Sequence, residues 1–252
     1  MKKILLGILV VAAIFMVGCA SGGGAGSTEK YVVTEADDIL AVYNFEEPVD
    51  EGDVPDATGN ENLGYTSSDG TYVEGKYGKA MLFNGADGYI MMDEELLDCD
   101  GITVAAWIKP EGWKDWARVF DFGDGAAADA WLGYAPIERQ LRFDIFSGPN
   151  AVTLLAPVPQ PGKWTHVAAT FGDGFACLYI NGKLTQKLPI KLKPADLPRK
   201  GMFIGRSNWP DPLFMGAMDD VLVAGKVLDK NKIAKIANGI VIGDGENSSE
   251  AR

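Results

Sequence analysis

The sequence predicts an all-β chain folded as a two-sheet antiparallel jelly-roll sandwich with one short C-terminal helix. Three observations lead there. About a dozen short runs of alternating, β-branched or aromatic residues are separated by Gly- and Pro-rich turns, the pattern of a sandwich or jelly roll. Asn181-Gly182 is a two-residue hairpin signal, because both central positions of that turn favour positive φ. Helical spacing occurs only over residues 229–238, where Asp229 is a suitable N-cap and Ile233 and Ile236 lie on one stripe.

Taken in order, residues 40–45 alternate and read as the first strand. Residues 47–75 are rich in Gly, Asp, Asn, Ser and Glu and read as a long loop, a kind of segment that is usually functional or disordered. Residues 80–83 and 88–91 flank the turn signal Asn84-Gly85. Residues 102–108 are strongly strand-like and end near Pro110. Residues 118–122, 131–134 and 140–146 follow at short spacing. In the last of these Leu141, Phe143 and Ile145 share one face, and Arg142, Asp144 and Phe146 the other. Residues 164–171, 176–180, 202–204 and 218–223 complete the strands.

The formal charge is −12, and loss of Lys2 and Lys3 with a leader would make it more negative. That balance argues against nucleic acid, whose phosphates require basic surface. It is compatible with solubility and cation binding. Hydrophobic content of 47% and six tryptophans can supply a core and leave aromatics for a surface.

The chain opens Met1-Lys2-Lys3 and then runs apolar to Val17, interrupted only by Gly7. A basic start, a short apolar run and small residues at its end are the parts of a secretory signal. Phe15-Met-Val-Gly-Cys19 resembles the lipobox of bacterial lipoproteins. The resemblance implies cleavage after residue 18, lipid modification of Cys19 and attachment to a membrane of the cell envelope. The alternative is a chance cysteine after an ordinary signal. Ala20 in place of Asp implies the outer membrane where the cell has one. The expected organisation is a leader over 1–18, a tether over 19–37, one domain over 38–238 and a polar tail over 239–252. Cys99 and Cys177 remain, and in an exported chain they are either a disulfide or two buried thiols.

Several segments in order carry a second resemblance. They are Tyr43-Asn-Phe-Glu46, Asp56-Ala-Thr-Gly-Asn60, Gly75-Lys-Tyr-Gly-Lys-Ala-Met-Leu-Phe-Asn-Gly85 and Thr103-Val-Ala-Ala-Trp-Ile-Lys-Pro110. Trp164-Thr-His-Val-Ala168, Leu178-Tyr-Ile-Asn-Gly-Lys183, Ile204-Gly-Arg206 and Gly216-Ala-Met-Asp-Asp-Val221 follow. Together they resemble the laminin-G/concanavalin-A-like jelly-roll superfamily over roughly residues 38–238. The resemblance implies two stacked sheets of six or seven strands, a structural Ca²⁺ near the strand ends, and often glycan binding on the concave face or its edge. Function does not follow from the fold alone.

For the cation, the resemblance points to Glu46, Asp56, Asn60 and Asp219. Ca²⁺ takes six to eight oxygens, which such residues supply. Asp219 is in phase with Val221 and Val223 and is expected to point inward, with Asp220 pointing the other way. A buried carboxylate without a partner is expensive, and a cation removes that cost. The alternative is a set of turn-forming acids without metal.

For a glycan, the candidates are Trp113, Trp116 and Trp209 in polar loops, with Arg142 and Asp144 on the strand face opposite the core. Flat aromatics stack on sugar rings, while Asp and Arg bond hydroxyls. Alternatively, the loop tryptophans cap the ends of the sandwich. The Glu-x-Asp-x-x-Glu spacing of jelly-roll glucanases does not occur, and lone His166 reads as structural. The expectation is therefore a lipid-anchored binding module for a polysaccharide, not an enzyme. A glycan-cleaving enzyme with an unusual acid pair, or a protein-binding envelope subunit, is the alternative.

Overall fold

The computed structural model describes residues 29–243. Cys19, the expected leader and the tail beyond residue 243 lie outside them.

Two antiparallel sheets pack face to face. The front sheet runs, edge to edge, Asn150–Ala156, Gln140–Ser147, Ala128–Ala135, Arg118–Gly123, Gly201–Ile204, Ile90–Met91, Gly64–Tyr65 and Asp53–Val54. The back sheet runs Lys183–Pro189, Phe175–Ile180, Thr165–Gly172, Gly101–Pro110, Met215–Ala224, Lys79–Asn84 and Thr71–Glu74. The strand Ile39–Tyr43 also pairs with Met215–Ala224.

Between the sheets lies one apolar core. Phe83, Phe122, Phe143, Phe171, Ile108 and Leu132 are among its fully buried members. Removing each such side chain from water is worth roughly 1.5–3 kcal/mol. Alternation places them: Leu141, Phe143 and Ile145 face the core, as expected, while Arg142 and Asp144 face outward. A second cluster covers the outer surface of the back sheet. There Leu222, Ala105 and Cys177 meet Ile233 and Ile236 of the helix Lys230–Ile236. Asp229 caps that helix by accepting from the amides of Asn231 and Lys232.

Three features differ from the sequence reading. The 47–75 region contributes the short strands Asp53–Val54 and Gly64–Tyr65 to the front sheet and Thr71–Glu74 to the back. Strands this short carry too little alternation to stand out. Lys183–Pro189 is an edge strand with mostly exposed side chains, so it lacks an apolar face. Finally, order extends beyond 38–238. Tyr31–Val32 pairs in parallel with Ile240–Val241, within the expected tether and tail.

Of the two arrangements left open for Cys99 and Cys177, a bridge or separate thiols, the structure has two free thiols. Cys99 packs against the inter-sheet core and Cys177 belongs to the cluster on the outer side of the back sheet. The sheet itself separates them.

Candidate functional site

The outward side of the front sheet carries the polar and aromatic residues that a core-facing surface would exclude. Strand register aligns Tyr65, Met91, Phe203, Asp121, Trp131, Asp144 and Thr153 in one row across seven strands. Neighbouring strands are about 4.8 Å apart, so the row spans roughly 29 Å.

Next to its central member, Asp121, Trp131 lies near two guanidinium groups. Arg118 is 3.7 Å from the ring centre and Arg142 is 5.5 Å from it. Trp116 meets Trp131 edge-on at 6.2 Å. Arg142 bridges Glu138 at 3.3 Å and Asp144 at 2.8 Å, and Asp144 also accepts from the Thr153 hydroxyl. Arg118 reaches this face because a register shift at Leu132/Gly133 breaks the alternation of its strand pair.

The segment 207–211 crosses over the row. Ser207 Oγ donates toward Asp121 at 3.2 Å and Asp211 at 2.9 Å, and Asn208 donates to Asp121 at 2.7 Å. Asp211 pairs with Arg118 at 3.2 Å. Asp121 is therefore wholly covered, and its neighbour Asp129 nearly so. Burial pushes both carboxyls up, and the Asp121 charge pushes Asp129 further. Burial lowers the Arg118 value, against the pull of Asp121 and Asp211. Trp209 remains 52% exposed, with its indole N–H donating to Gly125 O and its ring lying over Gly125.

Of the glycan candidates, Trp116, Arg142 and Asp144 come together around Trp131, and Trp209 projects from the crossing segment of the same face. Trp113 does not join them. It stacks on Tyr134, meets Phe214 edge-on and donates its indole N–H to Pro159 O, so it closes one end of the core. Sequence reading missed Trp131, Arg118 and Asp121. The available signal was Asp121 between Phe120 and Phe122, a charge on the outward phase of an otherwise apolar strand.

The cation candidates split likewise. Met215–Ala224 pairs with Lys79–Asn84 over its first half and with Ile39–Tyr43 over its second. At the changeover a bulge puts Asp220 at φ 46°. The extra residue reverses the expected phase: Met218 and Val221 face the core, and Asp219 pairs with Trp107 on the outer surface. The turn 75–78 closes over it. Amides of Lys76 and Tyr77 donate to Asp219 Oδ2 at 2.8 and 2.9 Å, while buried Oδ1 has no partner among the described residues. Glu46 bonds the Lys79 amide at the other end of this turn. Burial pushes Asp219 up to about 6 and, aided by the Asp219 charge, Asp220 up to about 7.

An orphaned buried oxygen with further carboxylates beside it fits a cation; Asp219 and Glu46 are the residues that suit it. Asp56 and Asn60 do not. Asp56 accepts from the amides of Val42, Thr58 and Asn62 and from the Thr58 hydroxyl, and Asn60 donates to Ile39 O. Their role is to fasten a loop to the first long strand. No group of three or more Asp, Glu, His or Cys side chains among the described residues is close enough to hold a metal, so backbone oxygens or water would complete the shell. His166 is fully buried, edge-on to Trp107, and burial pushes it down to about 3.

The sequence model of the laminin G-like family described as the Concanavalin A-like lectin/glucanases superfamily matches residues 83–234. Among curated proteins none matches the chain. Among solved structures, domain 4 of AbnA, a GH43 extracellular arabinanase of Geobacillus stearothermophilus determined with arabinotriose, is similar with TM-score 0.65 and 24% identity. That alignment covers 79% of this chain and 98% of the domain. The binding domain of botulinum neurotoxin DC, determined with rat synaptotagmin II, has TM-score 0.60 and 15% identity, over 80% of this chain and 51% of that one. Trypanosoma rangeli sialidase has TM-score 0.60 and 16% identity, over 79% of this chain and 32% of the enzyme. At these identities the likeness establishes the jelly-roll fold.

Proposed function

Because the chain belongs to the Concanavalin A-like lectin/glucanases superfamily, we propose that it is a carbohydrate-binding module whose site is the outward face of the front sheet. One observation carries the reading. Trp116, Trp131, Arg142 and Asp144 converge outside a core that does not need them. Trp116 gives a sugar ring an apolar surface, backed by Trp131, which is 5% exposed beneath Arg118, and the Arg142–Asp144 pair offers donors and acceptors to its hydroxyls. Arabinotriose, named with one structural relative, is a rational first ligand. Titration calorimetry against a panel of neutral oligosaccharides tests the proposal. Binding that Trp116→Ala and Arg142→Ala each weaken tenfold or more is expected, and a panel without any binder would refute it.

The same reading includes a stabilising Ca²⁺ held by Asp219 and Glu46, which would neutralise the buried carboxylates and hold the 75–78 turn. It also includes export and a lipid anchor at Cys19, supported by the order of charge, apolar run and small residues over 1–19. Radiolabelled palmitate incorporation lost in Cys19→Ser tests the anchor.

One observation favours a glycan-cleaving alternative: Asp121 and Asp129 are neighbouring buried acids, both pushed up by burial and Asp129 further by the Asp121 charge, and acid–base catalysts use such pairs. Against it, the 207–211 segment covers Asp121, and Asp129 is also buried. Release of reducing ends that Asp129→Asn abolishes would favour that alternative.

A further inference from the structure

Beyond the crossing segment 207–211, the far half of the front face presents a different chemistry. Arg206 stands at its centre. Its guanidinium lies 4.7 Å from the Tyr89 ring centre and 4.6 Å from that of Phe203. The two rings meet edge-on at 6.0 Å. Arg118, Arg142 and Arg199 each meet carboxylates. Arg206 has no hydrogen bond or ion pair to any described residue, in a chain with 35 acidic and 23 basic residues. It is half-buried, so it is not simply a solvated surface charge.

Its backbone is fixed. Gly205 has φ 79°, donates to Val119 O and accepts from the Phe214 amide. A Cβ at Gly205 would stand 2.7 Å from the Phe83 ring, so this approach needs glycine. Next to the guanidinium, Phe203 pairs in register with Met91 and Met91 with Tyr65, and the last two are 37% and 47% exposed. An unpaired planar cation, held against two rings that stand nearly at right angles, thus borders an exposed apolar shelf one or two strands away.

We propose that Arg206, Tyr89, Met91 and Tyr65 form a second subsite of the front face, for a sugar that carries a carboxylate. The guanidinium fork presents donors in the geometry that suits a carboxylate with two parallel hydrogen bonds. The two flanking rings restrict its rotamers, so less freedom is lost on binding. Met91 and Tyr65 supply the surface for the apolar side of the ring. The inference rests on reading the front face as glycan-binding. It adds that the ligand, or one residue of it, is acidic.

The test uses the purified full chain, solubilised in detergent, with two acidic probes, galacturonate oligomers and a sialylated trisaccharide, beside a neutral oligosaccharide. Binding is read by calorimetry at low and high salt. One acidic probe should bind more weakly as salt rises, and Arg206→Gln should weaken it tenfold or more. Arg206→Lys should retain part of the affinity, and Trp116→Ala should leave this subsite's acidic preference intact. Which probe binds identifies the acid. Circular dichroism melts confirm that each variant folds. Equal binding of the acidic probe by wild type and Arg206→Gln, or binding of neither acid, overturns the proposal. Failure of the wider reading appears separately, as neutral ligands insensitive to Trp116→Ala.

Discussion

The guanidinium of Arg118 lies 3.7 Å from the centre of the Trp131 ring, and its nitrogens reach Asp121 at 3.3 Å and Asp211 at 3.2 Å. One buried cation thereby joins the sheet, the aromatic floor of the face and the segment that crosses it. Arg118→Met should destabilise the fold by roughly 3–5 kcal/mol, because it strands buried Asp121 without its counter-charge. Urea unfolding checks this; a loss under 1 kcal/mol would mean the network is not needed for stability.

The loop tryptophans should separate by role. Trp113→Ala opens a gap beside Tyr134 and Phe214 and should cost roughly 2–3 kcal/mol in thermal or urea unfolding. Trp209→Ala removes an exposed ring and should change stability by about 1 kcal/mol or less. If Trp209 contributes to the glycan surface, it should weaken binding in calorimetry while the melt is nearly unchanged.

Stability should fall with rising pH in calcium-free buffer. Asp219 and Asp220 have folded values of about 6 and about 7 against an ordinary 3.8. The folded state therefore keeps protons that the unfolded chain has released. The resulting stabilisation is complete below about pH 4 and disappears as pH rises through 6 and 7. Asp219→Asn should remove on the order of 2–3 kcal/mol of that dependence. Melts from pH 4 to 8 measure it. Added Ca²⁺ should restore stability at pH 8 in wild type and not in Asp219→Asn.

Gly78 probes the same turn from its other end. It has φ 65°, and a Cβ there would lie 1.9 Å from Glu46 Oε1. Gly78→Ala should cost roughly 1–3 kcal/mol through strain and displace Glu46 from the Lys79 amide. The calcium-dependent rise in melting temperature should shrink with it. An unchanged calcium response would separate Glu46 from the proposed cation.

Thiol titration tests the cysteine assignment. In denaturant without reductant, the segment from residue 29 should expose both Cys99 and Cys177. In the folded protein Cys99 should react slowly, because burial pushes its thiol up to about 11. A mass two units low with no titratable thiol would establish a bridge instead.

Residue order alone determined the strand alternation of Leu141, Phe143 and Ile145 against Arg142 and Asp144, the helix cap at Asp229 and the jelly-roll class. Each is a local property, since side-chain direction repeats every two residues along a strand and capping acts within one turn. Tertiary structure decided which outward residues meet. The bulge at Asp220 turned Asp219 to the opposite surface, and the 207–211 segment folded over Asp121 and divided the face in two. It also left Trp113 inside and set Cys99 and Cys177 on opposite sides of a sheet. Such contacts join residues far apart in the chain, and one inserted residue reverses every side chain beyond it. Local periodicity holds no record of either.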